Sequence, residues 1–355
     1  MSLSGVPVVY MSIVRHLCDE YKFDIIIFDR SDMHFEKEFL SYGGKIFYYD
    51  RKEYSNEFLK VFWLFFKYKK NYKSFLDDNN IRLSDYDVIH SFDEFYSFPL
   101  FCFAKKQGIN NLFLHINSAE SAYEQKRSLK RLFVNAYQNK SKKLCKQIIF
   151  VSNKAMQIHN YKNKGVVIYN EVDNRKYNKI IECIHDNLVL SQIGTISTRK
   201  NQLFSLKVIS SIKKTYPNIK LNIVGNVVDQ DYYLKLKAYI NSQNLNDNIC
   251  FLESSYDQKA LYSDTSYILF PSIQESFGIV LIEAQSSGVH CFSSNLIPLE
   301  ADLGNVDFIE LDHEAWARFI INYFGENKNL RSEPINIEKF SGTSFRANLI
   351  AIYNS

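Results

Sequence analysis

The sequence predicts an α/β protein of two domains, each built around a doubly wound parallel sheet. Its 355 residues exceed what one hydrophobic core usually supports, so two domains are expected. Short apolar runs alternate with helical patterns along nearly the whole chain, which is typical of parallel sheets covered by helices. Residues 267–289 add a third indication, because there a predicted strand leads through a polar loop directly into a predicted helix.

The stretch 267–289 predicts a ligand site at the carboxyl end of a strand. An apolar strand over 267–270 leads into a polar loop over 271–278, and an apolar-periodic helix follows over 279–286. Open α/β sheets bind ligands at junctions of this kind. The first N–H groups of the helix lack partners within it and lie at the positive end of its dipole, so they can bind a phosphate.

Two carboxylates flank this junction, Glu275 in the loop and Glu283 on the helix. At helical rise their separation is at most roughly 12 Å, which is about the span from the hexose to the ribose of a nucleotide sugar. A carboxylate can accept hydrogens from two neighbouring hydroxyls, so each is suited to bind a diol. Taken alone, the spacing is more typical of a capping Glu followed by a half-exposed helical Glu.

The wider pattern, strand-Pro-Ser-x-x-Glu-Ser-Phe-Gly-x-x-x-x-Glu-Ala, resembles the signature of retaining glycosyltransferases of the family-4 type. These enzymes have the GT-B fold, in which two Rossmann-like domains face a cleft. The resemblance implies that Glu275 lies beside the hexose of the sugar donor and that Glu283 binds the ribose hydroxyls. It further implies that the sugar and diphosphate are bound by backbone amides of Ser276, Phe277, Gly278 and Ile279.

A second phosphate-binding pattern opens the C-terminal domain, where a predicted strand is followed by Gly194 and the start of a helix. The family has Gly-Arg-Leu-x-x-x-Lys-Gly/Asn here, and the resemblance implies that Lys200 neutralises the diphosphate as it leaves. Thr195 stands in place of the family's Arg, and Arg199 is a candidate to supply the lost charge. An exposed lysine at a helix start is the alternative for Lys200.

Gly225 follows the next predicted strand, and the resemblance implies that backbone near it contributes to the nucleotide site. Asp229 and Asp231 form an Asp-x-Asp that could hold a metal on a diphosphate, although capping of the following helix is favoured. Because the family works without a metal, no cofactor is expected.

Residues 1–173 are predicted to form the acceptor-binding domain. The chain opens with a loop containing Gly5 that leads into a helix, and such a loop normally follows a strand. The first strand of this domain is therefore expected to be missing. Gly5 is a candidate for a phosphate- or sugar-binding turn, with a plain turn as the alternative.

Two histidines, His90 and His115, each end a predicted strand, at the edge where α/β sites collect polar residues. Many family members carry a His on this loop facing both sugars, so the resemblance implies a catalytic role for His115. A hydrogen-bonded scaffold is the alternative for His115 and the favoured interpretation for His90.

The remaining boundaries follow from polarity and from the resemblance. The polar residues 174–186 are predicted to link the domains, and 187–335 to form the nucleotide-sugar-binding domain. In the family the last helix crosses back to the first domain, so residues 336–355 are assigned to that crossing.

Composition narrows the class of protein further. Six scattered Cys without a Cys-x-x-Cys pair indicate reduced thiols of a cytosolic protein. Neither a signal peptide nor an apolar run of about 18 residues is visible. The net charge of +4 comes with no nucleic-acid-binding signature, so nucleic acid is not an expected partner. Basic, aromatic-rich stretches at 55–78 and 126–146 suit either peripheral contact with the inner face of an anionic membrane or solvated helices packed on the core.

The sequence thus predicts a retaining hexosyltransferase that uses a nucleoside diphosphate sugar, with a UDP-sugar favoured. A saccharide or polyprenyl-linked saccharide is the expected acceptor, and the resemblance places the reaction in bacterial capsule or lipopolysaccharide synthesis. One alternative is another GT-B enzyme, a sugar-nucleotide epimerase or a glycogen-type synthase. The other is a non-catalytic sugar-nucleotide-binding or scaffold protein.

Overall fold

A computed structural model describes residues 6–28, 35–49, 68–94, 96–117, 129–159, 163–172, 188–253, 256–326 and 337–355. The chain divides into two compact units. The C-terminal unit contains Glu171–Ser341, and the N-terminal unit contains the described residues up to Asn170 together with Gly342–Ser355. Gly5, the predicted linker and the first part of the basic stretch 55–78 lie outside the described residues.

The described part of the N-terminal unit contains two parallel sheets. The strands are β1 (Ile25–Ile27), β2 (Ile46–Tyr48), β3 (Ile89–Ser91), β4 (Leu112–Ile116), β5 (Gln147–Phe150) and β6 (Gly165–Val167). The first two pair with each other, and the others form a sheet in the order β3-β4-β5-β6. The helices are α1 (Val6–Leu17), α2 (Glu36–Ser41), α3 (Tyr68–Asp78), α4 (Ser97–Lys106), α5 (Leu129–Leu144) and α6 (Asn153–His159).

The C-terminal unit contains one six-stranded parallel sheet. Its strands are β7 (Val189–Ile193), β8 (Lys220–Val224), β9 (Ile249–Leu252), β10 (Tyr267–Phe270), β11 (His290–Ser294) and β12 (Val306–Ile309), in the order β12-β11-β10-β7-β8-β9. Its helices are α7 (Gln202–Ile212), α8 (Gln230–Ser242), α9 (Gln258–Ser263), α10 (Ile279–Ser286) and α11 (His313–Glu326). This strand order is that of a doubly wound sheet.

Apolar side chains bury the central strands of the C-terminal sheet on both faces, as their nearly unbroken apolar sequence requires. All four residues of β10 are buried. On one face, Leu190, Leu221 and Leu269 pack in a cluster with Trp316 and other apolar residues of α7, α8 and α11. At roughly 25 cal/mol per Å² of buried apolar surface, burial on this scale is the main stabilising term of the unit.

The last helix, α12 (Gly342–Tyr353), belongs to the N-terminal unit. Its buried Phe345, Leu349 and Tyr353 pack with Leu17 of α1 and Phe113 of β4. The helix was predicted to begin at 336, which is wrong, because a short 3₁₀ turn over Glu338–Phe340 precedes it and Ser341 is extended.

Candidate functional site

The strand order of the C-terminal sheet reverses between β7 and β10, its two central strands. The chain proceeds from β7 toward β9 on one side and from β10 toward β12 on the other. The loops after these two strands therefore leave the sheet side by side at its carboxyl edge, which is where doubly wound folds bind ligands. Hydrogen bonds join these loops: Ile273 donates its backbone N–H to the Arg199 carbonyl at 2.9 Å, and Asn201 Nδ2 donates to the Pro271 carbonyl at 3.2 Å.

Two glycines allow the loops after β7 and β8 to approach closely. Gly225 has φ +150°, and a Cβ placed there would lie 2.1 Å from the Gly194 carbonyl oxygen. Gly194 has φ +146°, and a Cβ there would come within 3.0 Å of Lys200 Cε. The backbone of Gly194 is thus covered on one side by Gly225 and on the other by the aliphatic stem of Lys200.

A charge cluster of Lys200, Arg199 and Glu275 spans the two loops. Lys200 Nζ donates to Glu275 Oε1, and Arg199 Nη1 lies 3.1 Å from the same oxygen. The side chains of Lys200 and Glu275 are 12% and 11% exposed, whereas Arg199 is 41% exposed. Because two cations share one carboxylate, the cluster carries one net positive charge at the edge of the sheet, which favours an anionic ligand.

Neighbouring groups fix the position of Lys200. Gln192 Nε2 donates to the Lys200 carbonyl at 2.7 Å, and Lys200 Nζ lies 5.1 Å from the centroid of the Phe270 ring. A cation over an aromatic face is attracted by its quadrupole, which helps hold the ammonium group in place. Gln192 could not be recognised from the sequence, where it is one of two adjacent polar residues within an otherwise apolar strand.

Helix α10 begins beside this cluster. Its N-cap, Gly278, has φ +98°, and the first turn of the helix contains no acidic residue. The positive end of the dipole is therefore not neutralised by the helix itself. Phe277 is buried and packs against the ring of Phe340, so its side chain contributes to the core of the unit.

Glu283 lies one turn along α10 and is oriented by a neighbouring helix. Tyr262 Oη, on α9, donates to Glu283 Oε2 at 3.1 Å. Tyr262 could not be predicted from the sequence, because α9 is short and its pairing with α10 is a tertiary contact.

The Asp-x-Asp pattern is part of a helix cap, as the sequence favours. At the start of α8, the Asp229 side chain accepts a hydrogen bond from the backbone N–H of Tyr232 at 2.9 Å. It also accepts a hydrogen bond from Thr198 Oγ1 at 3.2 Å. The described residues contain no group of three or more His, Cys, Asp or Glu side chains placed to hold a metal ion.

His115 lies in the N-terminal unit, where the structure corrects its predicted position at the end of a strand. Strand β4 continues to Ile116, because residues up to Ile116 pair with β5 and are buried. His115 is therefore a fully buried strand residue. Its Nδ1 lies 3.2 Å from His90 Nε2, so the two histidines are hydrogen-bonded.

The predicted sugar-donor residues of the C-terminal unit thus lie around the reversal in strand order. Gly194, Thr195, Arg199 and Lys200 follow β7, Gly225 follows β8, and Glu275, Ser276, Phe277, Gly278, Ile279 and Glu283 follow β10. The backbone carbonyl of Thr195 accepts a hydrogen bond from Gln202 Nε2 at 3.0 Å. The ligand-binding roles of these residues stay predictions.

Comparison with known proteins identifies the class. Residues 173–304 match the family model described as glycosyl transferases group 1. The fold matches the crystal structure of Anabaena HepE in complex with UDP, with a TM-score of 0.77, 16% identity, and coverage of 99% of this chain and 97% of that one. These matches confirm the predicted resemblance to glycosyltransferases, the prediction of a glycosyltransferase and the GT-B fold class.

Bacterial proteins of similar sequence carry more particular names. The capsular polysaccharide biosynthesis glycosyltransferase CapH of Staphylococcus aureus is 25% identical over 348 residues, which cover 95% of this chain and 92% of CapH. The O-antigen chain mannosyltransferase RfbU of Salmonella typhimurium is 28% identical over 210 residues, 57% of this chain and 55% of RfbU. No helix in the described ranges is both long and apolar enough to span a bilayer.

Proposed function

We propose that this glycosyltransferase moves a hexose from a UDP-sugar to a saccharide acceptor in bacterial surface polysaccharide synthesis, with retention of anomeric configuration. The names of CapH and RfbU support the biological setting. Crystal structures of HepE with UDP and with UDP-glucose, at 14–16% identity, support a uridine nucleotide as the first donor to test.

The observation that carries the proposal is the Lys200–Arg199–Glu275 cluster beside the start of α10. We assign the diphosphate to the α10 N-terminus, with amides of residues 276–279 and the two cations donating to its oxygens. Negative charge grows on the diphosphate as the bond to the sugar breaks. Once the cations contact the bound diphosphate, they stabilise that growing charge without further reorganisation, which lowers the barrier.

Glu275 has two roles in this mechanism. Before the substrate binds, it holds Lys200 and Arg199 together over the sheet edge. When the nucleotide sugar binds, the cations turn to the diphosphate and the carboxylate accepts hydrogens from hexose hydroxyls. Glu283, oriented by Tyr262, accepts the ribose hydroxyls at the other end of the ligand.

Transfer with retention requires the acceptor to enter on the face that the diphosphate leaves. The bond between the anomeric carbon and the diphosphate oxygen breaks, and the acceptor oxygen bonds to that carbon. Because the acceptor attacks the anomeric carbon directly, no enzyme nucleophile is used. The proton of the acceptor hydroxyl passes to the departing diphosphate oxygen. His115 is proposed to contact the reacting sugars from the N-terminal unit.

Lys200 and the helix amides provide the charge stabilisation that a divalent ion gives in other diphosphate-transfer enzymes, so we propose that the reaction needs no metal. Turnover should then be unchanged by excess EDTA. A loss that returned with Mg²⁺ would refute this part of the proposal.

The acceptor is proposed to be linked to a polyprenyl carrier and to be met by this cytoplasmic enzyme at the inner face of the membrane. The described basic residues include Lys69 and Lys140, which lie 5.8 Å and 5.3 Å from the centroid of the Phe98 ring. Basic groups beside aromatics suit an anionic lipid surface. The proposal fails if the purified protein does not sediment with anionic vesicles and a soluble acceptor sugar serves equally well.

The nucleotide site is tested by thermal unfolding with UDP, GDP and ADP. A ligand that binds the native state raises the melting temperature by mass action. We expect UDP to stabilise the wild type and Glu326→Ala, which changes an exposed Glu at the end of α11, and not to stabilise Glu283→Ala. If no nucleotide raises the melting temperature of the wild type, the proposed sugar-donor site is wrong.

A further inference from the structure

Three side chains of the N-terminal unit form a hydrogen-bonded chain that ends at His115. Tyr353 Oη, on α12, lies 2.6 Å from His90 Nδ1. His90 Nε2 lies 3.2 Å from His115 Nδ1. The far ring nitrogen of His115, Nε2, is buried and has no hydrogen-bond partner among the described residues.

Aromatic rings cover much of this hydrogen-bonded chain. The Phe92 ring stacks on both imidazoles, with centroids 4.8 Å from His90 and 5.1 Å from His115. Phe113 packs against Tyr353 at 5.2 Å. Burial lowers the pKa of His90 to about 3, and burial together with the neighbouring His90 lowers the pKa of His115 well below its usual value. Both imidazoles are therefore neutral at physiological pH, each with a single ring proton.

The single proton of Tyr353 fixes the direction of the whole chain. Burial raises the pKa of the phenol, so Tyr353 keeps its proton, and His90 Nδ1 is the acceptor within reach. His90 then carries its own proton on Nε2 and donates it to His115 Nδ1. His115 in turn must carry its proton on Nε2. The opposite direction would leave the proton of the buried Tyr353 phenol without an acceptor among the described residues, which is unfavourable.

We propose that His90 and Tyr353 are positioning residues that hold His115 as the Nε2–H tautomer, so that it donates a hydrogen bond to a substrate oxygen. This role in catalysis rests on the proposed function. The substrate group is a hydroxyl of one of the two sugars, because a neutral N–H donor matches an uncharged oxygen. A His115 protonated on Nδ1 would instead present a lone pair there.

A second polar side chain supports a ligand at this end of β4. Asn117 lies two residues after His115, directly after the end of β4. Both side-chain atoms of Asn117 are buried without a partner in the described part of the chain. Unsatisfied buried amide and imidazole groups are rare unless a ligand or water completes them.

The tautomer is read directly from ¹⁵N spectra of histidine-labelled full-length protein, with the His115 signals assigned by their loss in His115→Gln. We expect the wild type to show a protonated Nε2 and an unprotonated Nδ1. Tyr353→Phe removes the phenol proton and should give a mixture of tautomers. His90→Gln places an amide N–H where Nε2 was and should keep His115 protonated on Nε2. A wild-type His115 protonated on Nδ1 overturns the proposal.

Kinetics test whether the tautomer matters for transfer. With a sugar donor, Tyr353→Phe should lower kcat about tenfold or more, the scale on which partners of functional imidazoles act, with little change in the donor KM. His90→Gln should retain most of the wild-type kcat, whereas His90→Phe should lose it. An unchanged kcat in a Tyr353→Phe protein whose tautomer has shifted would overturn the positioning role.

The two proposals fail separately. If no nucleotide stabilises the wild type, the proposed function and the role of this chain in transfer fall together, but the ¹⁵N spectra still decide the tautomer. If UDP binds and is lost in Glu283→Ala while Tyr353→Phe has no effect on the tautomer or kcat, only the present inference is refuted.

Discussion

At the residue scale, one carboxylate, Glu275, holds two cations at the sheet edge. The resemblance predicts contacts of Glu275 and Lys200 with the sugar donor but gives no sign that they pair with each other. That pairing depends on loops after β7 and β10, whose residues are 75 positions apart. Tyr262 and Gln192 were missed for the same reason, since each acts through a tertiary contact that no local pattern records.

Removing the charge of Glu275 should separate binding from transfer. In Glu275→Gln, Lys200 and Arg199 no longer share a carboxylate, so UDP should bind roughly fivefold more tightly, an effect of about 1 kcal/mol. Turnover should fall on the order of a hundredfold, because the hexose loses an acceptor that positions it. Calorimetry with UDP and a transfer assay measure the two effects.

Lys200→Ala should weaken both UDP binding and turnover, whereas Lys214→Ala, at an exposed position on the same unit, should change neither. If Glu275→Gln weakens UDP binding as much as Lys200→Ala does, the carboxylate binds the nucleotide and not the hexose.

Two histidines, the buried His115 and the partly buried His90, should make stability depend on pH. Their folded-state pKa values lie below the unfolded value of about 6.5, so below that pH the unfolded chain binds protons that the folded chain does not. Stability should therefore fall as pH decreases, by about 1.4 kcal/mol per pH unit for each histidine. Urea unfolding at pH 7.5, 6.5 and 5.5 measures the slope.

Comparison with His90→Gln isolates one histidine, because the other titrating groups are shared by the two proteins. The difference in unfolding free energy between wild type and variant should narrow as pH falls. A constant difference over this range would show that His90 is not held neutral.

At the element scale, the strand over 267–270 and the helix over 279–286 are confirmed to the residue. Both are bounded by strong local signals: Pro271 ends the strand, and Gly278 begins the helix with a positive φ. The helix α6 and the strand β12 were not predicted. The first has only seven residues, and the second is a four-residue edge strand containing a charged Asp307, so neither shows a clear period.

The glycines of the C-terminal unit allow a graded test of backbone constraint. Gly225→Ala combines φ +150° with a Cβ 2.1 Å from a carbonyl oxygen, and should cost about 3 kcal/mol or more. Gly304→Ala meets only the strain of φ +94° and should cost about 1 kcal/mol. Gly325→Ala, in α11 with open space, should stabilise by about 0.5–1 kcal/mol.

Urea midpoints should therefore fall in the order Gly325→Ala, wild type, Gly304→Ala, Gly225→Ala, and only Gly225→Ala should also lose stabilisation by UDP. Equal midpoints for Gly225→Ala and Gly304→Ala would show that the Gly194 loop moves aside at little cost.

At the scale of the whole molecule, alternating strands and helices were enough to predict an α/β fold. The order of the strands could not be predicted from the sequence, because it depends on which strands pair across long stretches of chain. The assignment of the last helix came from the family resemblance. In the structure the helix packs through Phe345, Leu349 and Tyr353. Their helical spacing predicts a buried face but does not indicate which elements that face contacts.

The division of the chain into two units predicts where a nucleotide should protect the backbone. If the C-terminal unit binds the sugar donor, UDP should slow amide hydrogen exchange in the loops after β7 and β10 and in the first turn of α10. At a UDP concentration of a hundred times Kd, binding stabilises the native state by about 2.7 kcal/mol, which slows exchange up to about a hundredfold where amides open only by unfolding of that unit.

Amides of β4 and β5, in the N-terminal unit, should exchange at nearly unchanged rates. Glu283→Ala should abolish the protection, whereas Glu326→Ala should retain it. Protection spread equally over both units would mean that UDP acts through the N-terminal unit as well, and the assignment of the nucleotide to residues 194–283 would then be too narrow.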